Sequence, residues 1–274
     1  MTENRDKPIP VEPRPPLHAP RVYTMNLGHI PLTAFVTGAV SFIFAVAFHL
    51  GTAPPTAAMV IMVVLFVLSA LVPSPPAVPA SESGPPAESA ARDQLTTGTR
   101  FTIIRVSIVS LMGGLAVLPT ATQPDPLLWA LAAMGLGAAL LEATDNWLAR
   151  ITGSVSGYSE RLSAMTGAFF ALVLALLPMQ LGLIDVWIIA AGIFGFSAVA
   201  IAPRGLRGEL PELHIWARLA LRLLLLGILV PLVPDWGRTA LGGLAVITAL
   251  GVMFLALQTR IRAAKAQNRP ISDA

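Results

Sequence analysis

Apolar residues run in blocks of about twenty along most of this chain, separated by short polar or proline-bearing turns. The blocks cover residues 31–50, 56–72, 101–118, 126–149, 162–181, 184–202, 212–233 and 237–258. A helix rises ~1.5 Å per residue, so about twenty residues reach across the ~30 Å hydrocarbon layer of a bilayer. The pattern predicts an all-α polytopic membrane protein with eight spans. Only Gly51-Thr52-Ala53-Pro54-Pro55 separates the first two blocks, which predicts a helical hairpin at 31–72. Residues 73–94 then carry Pro73, Pro75, Pro76, Pro79, Pro85 and Pro86 among Ser, Ala and Glu, a composition that buries no core and reads as a linker. Residues 1–30, rich in proline and charges of both signs, read as a disordered tail without the apolar core of a signal peptide. Residues 263–274 read as a C-terminal tail.

Composition supports the membrane class: 55% of the 274 residues are hydrophobic and 12% charged, against the balance of a soluble two-domain protein. Without cysteine there is no disulfide, thiolate metal site or cysteine nucleophile. His18, His29, His49 and His214 lack zinc-ligand spacing. The net charge of +3 is spread over connecting segments and predicts topology, with no nucleic-acid partner. With a cytoplasmic N-terminus, every Lys and Arg except Arg238 falls on the cytoplasmic side, while Asp125, Asp185 and Asp235 mark the outer turns. Both termini are thus expected in the cytoplasm. Trp129, Trp187 and Trp236 near outer ends, and Trp147 and Trp216 near inner ends, read as interfacial anchors. Gly135 and Gly137 among Ala132, Ala133, Ala138 and Ala139, and the pair Gly242 and Gly243, read as close helix contacts.

Two acids break this apolar pattern. Glu142 and Asp145 share one helical face at the end of the fourth block, with Arg150 just beyond. An uncompensated carboxylate at membrane depth is costly, so both should meet a cation, an arginine or water. The spacing fits a site for Mg²⁺ or Mn²⁺ and a phosphate gripped by arginine. It fits a structural ion pair at a helix end equally well.

The stretch Glu142-Ala143-Thr144-Asp145-Asn146-Trp147-Leu148-Ala149-Arg150, with Ser159, Ser163 and Gly167 after it, resembles the signature of the CDP-alcohol phosphatidyltransferase family, D-x-x-D-G-x-x-A-R-x8-G-x-x-x-D-x-x-x-D. Aligned on Ala149-Arg150, the four aspartates fall on Glu142, Asp145, Ser163 and Gly167, and the two glycines on Asn146 and Ser159. The likeness extends over residues 95–262 and includes Leu95 to Arg105, similar to the family's entry into its first helix. It implies a six-helix membrane domain that transfers a substituted phosphate from a CDP-linked donor to an alcohol and releases CMP. It also implies a cytoplasm-facing cavity walled by the helices at 126–149 and 162–181. Glu142 and Asp145 would be its metal ligands, with Arg150, Asn146, Arg105 and Ser163 as substrate contacts. Mg²⁺ or Mn²⁺ would be the cofactor if the site works, a membrane lipid or CDP-linked lipid donor the partner, and a homodimer a further expectation.

The departures from the signature predict impaired catalysis. Ser163 is a neutral, weak ligand, and Gly167, where the family has its presumed base, has no side chain, so no catalytic residue is assigned. General-base help is typically worth about 10²–10⁴-fold, and a two-metal site needs clustered negative charge. Glu160, beside Arg161, reads as part of a solvated loop pair and not as a relocated base. Two functions remain open: a phospholipid head-group transferase with an altered site, and a non-catalytic binding or assembly protein that retains the fold.

Overall fold

The computed structural model describes residues 29–71, 97–116, 125–152, 157–201 and 212–267, and among these the structure is helical with no strand. In chain order the helices are α1 (His29–Ala47), α2 (Ala53–Leu71), α3 (Thr97–Leu115), α4 (Asp125–Thr152), α5 (Gly157–Gln180), α6 (Ile189–Ile201), α7 (Glu212–Leu229) and α8 (Asp235–Gln267). A short 3-10 turn at Val186–Ile188 leads into α6. The linker at 73–94 and most of both tails lie outside the described residues.

Local chemistry explains the helix ends. Pro54 and Pro55 occupy the first turn of α2, where a missing N–H costs nothing. The chain reverses before them through His49 (φ 55°) and Gly51 (φ 75°). Asp125 and Asp235 open α4 and α8, where a negative charge complements the helix dipole. At the end of α5, Gly182 takes φ 69° while Leu183 N–H donates back to the Pro178 carbonyl at 2.9 Å.

Helices and apolar blocks do not share boundaries. The last helix continues to Gln267, well past the apolar block ending at 258, because Arg, Ala, Lys and Gln there are strong helix formers. The fifth starts at Gly157, ahead of the block that opens at 162, so Glu160 lies in a helical first turn and not in the loop expected for it. Hydropathy stops where apolarity stops, whereas a helix continues until its backbone is capped.

Three stretches among the described residues are long and apolar enough to cross a membrane: Asp125–Asp145, Arg161–Gln180 and Asp235–Arg262. Shorter apolar helical stretches occur at Thr33–Ala47, Ala53–Ser69, Phe101–Leu115 and Val186–Val199. Large apolar side chains such as Phe35, Ile43, Leu140, Ile247 and Phe254 point outward from the bundle. Trp129, Trp187, Trp216 and Trp236 are also exposed, and the Trp147 side chain lies outside the described residues.

Inside, one core joins Met112 and Leu115 of α3, Leu127 and Leu131 of α4, Phe170, Leu174 and Leu177 of α5, and Leu225 and Leu229 of α7. Ala245 and Ala249 attach α8 to it. The small-residue expectation holds at Gly135, which lies against Leu226, and at Gly242, where an added Cβ would stand 2.6 Å from Ile184 and 2.7 Å from Trp187. Gly137 and Gly243 face open space instead.

The N-terminal hairpin is packed onto this bundle. Met62, Leu65 and Phe66 of α2 share a cluster with Val106 of α3 and Leu162 of α5. At Gly114 the α2 and α3 backbones are so close that a Cβ would lie 2.8 Å from the Ala58 nitrogen and 2.9 Å from the Ala58 Cβ, besides meeting the Pro54 carbonyl. On α1, Thr33, Thr37 and Ser41 recur at helical spacing and are all buried. Thr37 Oγ1 donates to Ser107 Oγ of α3 at 2.7 Å. Both helices of the hairpin therefore touch α3, which leads directly to the polar cluster.

Candidate functional site

Four helices bring charged or hydroxyl side chains to one end of the bundle. The third supplies Thr102 and Arg105, the fourth Glu142 and Asp145, the fifth Ser163 with Gly167, and the seventh Arg222. Within the third, fourth and fifth helices the two residues are three or four apart, so each pair shares a face. The walls expected from α4 and α5 are completed by α3 and α7, which pack between and against them.

Each carboxylate is satisfied differently. Glu142 Oε2 lies 2.7 Å from Arg222 Nη1 and 3.3 Å from Arg105 Nη1, forming a three-helix ion cluster. Asp145 Oδ2 instead accepts from Thr102 Oγ1 at 2.9 Å and from Ser163 Oγ at 3.2 Å. Ser163 also connects the two halves, because Arg105 Nη2 donates to its Oγ at 3.1 Å and to its backbone carbonyl. Arg105 is fully buried and Glu142 nearly so, at 9% exposure. Removing ions this far from water costs several kcal/mol each, which only close opposite charges and saturated hydrogen bonding offset.

Gly167 makes the arrangement possible. A Cβ there would stand 3.2 Å from Arg222 Nη2 and 3.3 Å and 3.4 Å from the Glu142 oxygens, so the absent side chain leaves room for the guanidinium to cross α5 and reach α4. Arg222 Nη2 approaches the Gly167 carbonyl at 3.4 Å, and its guanidinium carbon lies 5.5 Å above the Phe170 ring, a cation–π contact that orients its plane. Arg218, one turn earlier on α7 and half-buried, is close enough to act on the Glu142 charge.

Of the site residues expected from the sequence, Glu142, Asp145, Arg105 and Ser163 converge, and Gly167 lies at the centre. Asn146 and Arg150 continue α4, with side chains outside the described residues. Among the described residues no group of three or more His, Cys, Asp or Glu side chains is placed to hold a metal ion. Sequence reasoning missed Arg222 and Thr102. The arginine had been assigned to the cytoplasmic rim by charge counting, yet it lies about ten residues inside α7, next to Leu223-Leu224-Leu225-Leu226. That depth was the available signal, since an arginine within an apolar helix needs a partner. For Thr102 the signal was its place in the 95–105 stretch, three residues before Arg105 and so on the same helical face.

No family model matches this chain, and neither a curated protein nor a solved structure does.

Proposed function

We propose that this chain is an integral membrane protein with eight spans and cytoplasmic termini, built on a CDP-alcohol phosphatidyltransferase-like six-helix bundle, that binds a ligand and does not transfer phosphate. The observation that carries this reading is Glu142 held by Arg222 and Arg105 beside a glycine. In the resembled signature, the corresponding positions gather carboxylates around divalent metals. In this chain two guanidiniums already compensate Glu142, and a dication brought beside them would be repelled. Asp145 has two hydroxyl partners, and Ser163 adds only a neutral oxygen. This donor set does not fit two divalent cations, and no acid besides Glu142 stands at Gly167 among the described residues, so no transfer step is derived. Loss of catalysis with retention of the fold accounts for both the intact frame of the motif and its missing aspartates.

The test is CMP release by the purified full chain in lipid nanodiscs, with CDP-diacylglycerol, Mg²⁺ or Mn²⁺, and a panel of alcohols. No release is expected under conditions where an active CDP-alcohol phosphatidyltransferase works. Metal-dependent release that disappears in Asp145→Ala would overturn the non-catalytic reading, because Asp145 has no cationic partner among the described residues.

A further inference from the structure

Arginines elsewhere in this chain are engaged. Glu142 compensates Arg105 and Arg222, Asp235 holds Arg238 at 3.1 Å, and Arg161 and Arg218 also have partners. Near the end of α8, Arg260 and Arg262 differ: both are exposed, and neither forms an ion pair or hydrogen bond with a described residue. The neighbouring sequence holds no acid to supply one, since neither Asp nor Glu occurs from Trp236 to Ser272, while Lys265 and Arg269 add to the positive charge. The two arginines lie on continuous helix, because α8 runs unbroken to Gln267. Phe254, Leu257 and Ile261, spaced three and four apart, form an exposed apolar strip that leads into this basic segment. Arg260 and Arg262 flank Ile261 at ~100° to either side of it. We propose that this end of α8 is a docking face for the anionic head groups of the surrounding bilayer; the inference rests on the membrane placement proposed above and not on the absence of catalysis.

The arrangement suits a lipid in both of its parts. The apolar strip faces acyl chains, and the guanidiniums beside it reach outward to the phosphates, as long cationic side chains do at an interface. Zwitterionic head groups place a cation next to that phosphate, so the net attraction belongs to lipids with net negative charge. Simpler roles leave part of the pattern unexplained. Basic residues stabilise a helix through its dipole only in the last turn, and both arginines precede Gln267 by more than a turn. Orienting a span takes positive charge on one side and no apolar strip between the charges. An acidic protein segment would match the charge and leave Leu257 and Ile261 uncovered.

The experiment immobilises the full chain in detergent micelles that contain equal amounts of phosphatidylglycerol and phosphatidylcholine, and quantifies the lipid retained. Phosphatidylglycerol should be retained in preference, and salt should weaken that preference. The double substitution Arg260→Gln with Arg262→Gln should reduce it by about fivefold for each arginine, with an unchanged melting temperature. Arg262→Gln alone carries the test if the double variant fails to fold. Replacing both with Lys should preserve the preference, because charge near the head groups is what acts. Arg238→Gln, which removes a basic residue at the other end of the same helix, should leave it unchanged. Equal retention of the two lipids, or the same preference in the Gln variants as in the unaltered chain, would overturn the proposal. So would displacement of phosphatidylglycerol by a soluble polyglutamate peptide at low micellar lipid, which would assign the face to an acidic protein. Flotation with pure phosphatidylcholine vesicles reads the membrane placement by itself. A chain that floats without lipid preference loses this face and keeps the placement, whereas a chain that does not float loses both.

Discussion

Two buried polar regions of this bundle solve the same problem by different means. Around Glu142, full charges from three helices lock together, and every ionised group in the cluster has a counter-charge or hydroxyl against it. Along the contact of α1 with α3, neutral hydroxyls suffice: Thr37 meets Ser107, while Ser41 Oγ and Ser110 Oγ are buried without a hydrogen-bond partner among the described residues. A hydroxyl left alone costs about 1–3 kcal/mol, whereas a charge left alone costs more and reorganises its surroundings. The comparison teaches that the charged region is held by opposite charges brought within ion-pair distance, while the neutral one is held by packing with a single hydroxyl bond across it.

The comparison breaks most visibly at Glu142. Replacing it with Ala leaves Arg105 fully buried beside Arg222 without their shared anion, and the expected loss is about 3–5 kcal/mol in denaturant unfolding of the detergent-solubilised protein. A loss below 1 kcal/mol would mean that the cluster is solvated. Next comes Gly114→Val, which forces the α2 and α3 backbones apart; overpacking of this kind costs about 1–3 kcal/mol. Cross-linking between cysteines introduced in α1 and α3 should drop in that variant, and undiminished cross-linking would show that the hairpin is not held there.

Adding acids to the charged region sharpens the contrast. The double substitution Ser163→Asp with Gly167→Asp should raise Mn²⁺ affinity about tenfold, equivalent to about 1.4 kcal/mol, as read by electron paramagnetic resonance titration. No gain in a folded double variant would show that Arg105 and Arg222 have closed the site to cations. The smallest effects belong to the hydroxyls. Thr37→Val should cost about 0.6 kcal/mol, the mean for interhelical hydrogen bonds in membranes, whereas Ser110→Ala should cost nothing and gain some stability, because its oxygen is buried with no hydrogen-bond partner among the described residues. A Thr37→Val loss above 2 kcal/mol would put the two regions on the same footing.

How legible these regions were depends on how local their signals are. Helix spacing alone placed Glu142 and Asp145 on one face, and the resemblance brought Arg105, Ser163 and Gly167 to the same place. Arg222 escaped because counting arginines for topology treats each as a loop residue, although this one is framed by leucines. The seam of Thr33, Thr37 and Ser41 reads locally as unremarkable helix, and only the packing of α1 on α3 gives it meaning. Likewise, nothing near Gly114 in sequence predicts Ala58 against it, since that contact joins positions on opposite sides of the 73–94 segment. Apolar periodicity located most of the helical cores, but the ends of α5 and α8 followed backbone capping and propensity instead.

The lengths of the three candidate spans carry a consequence for how the bundle sits in a bilayer. At ~1.5 Å per residue, the stretches in α4 and α5 rise about 30 Å and match the hydrocarbon layer while standing nearly upright. The 28-residue stretch in α8 rises about 42 Å, but its apolar block at 237–258 accounts for only about 33 Å of that, so the excess lies in its polar end. In the proposed membrane placement the C-terminal end of α8 therefore projects past the hydrocarbon layer, with exposed Arg260 and Arg262 among the head groups. That projecting turn would fix how deep α8 can sink, because the guanidiniums at 260 and 262 resist entry into hydrocarbon.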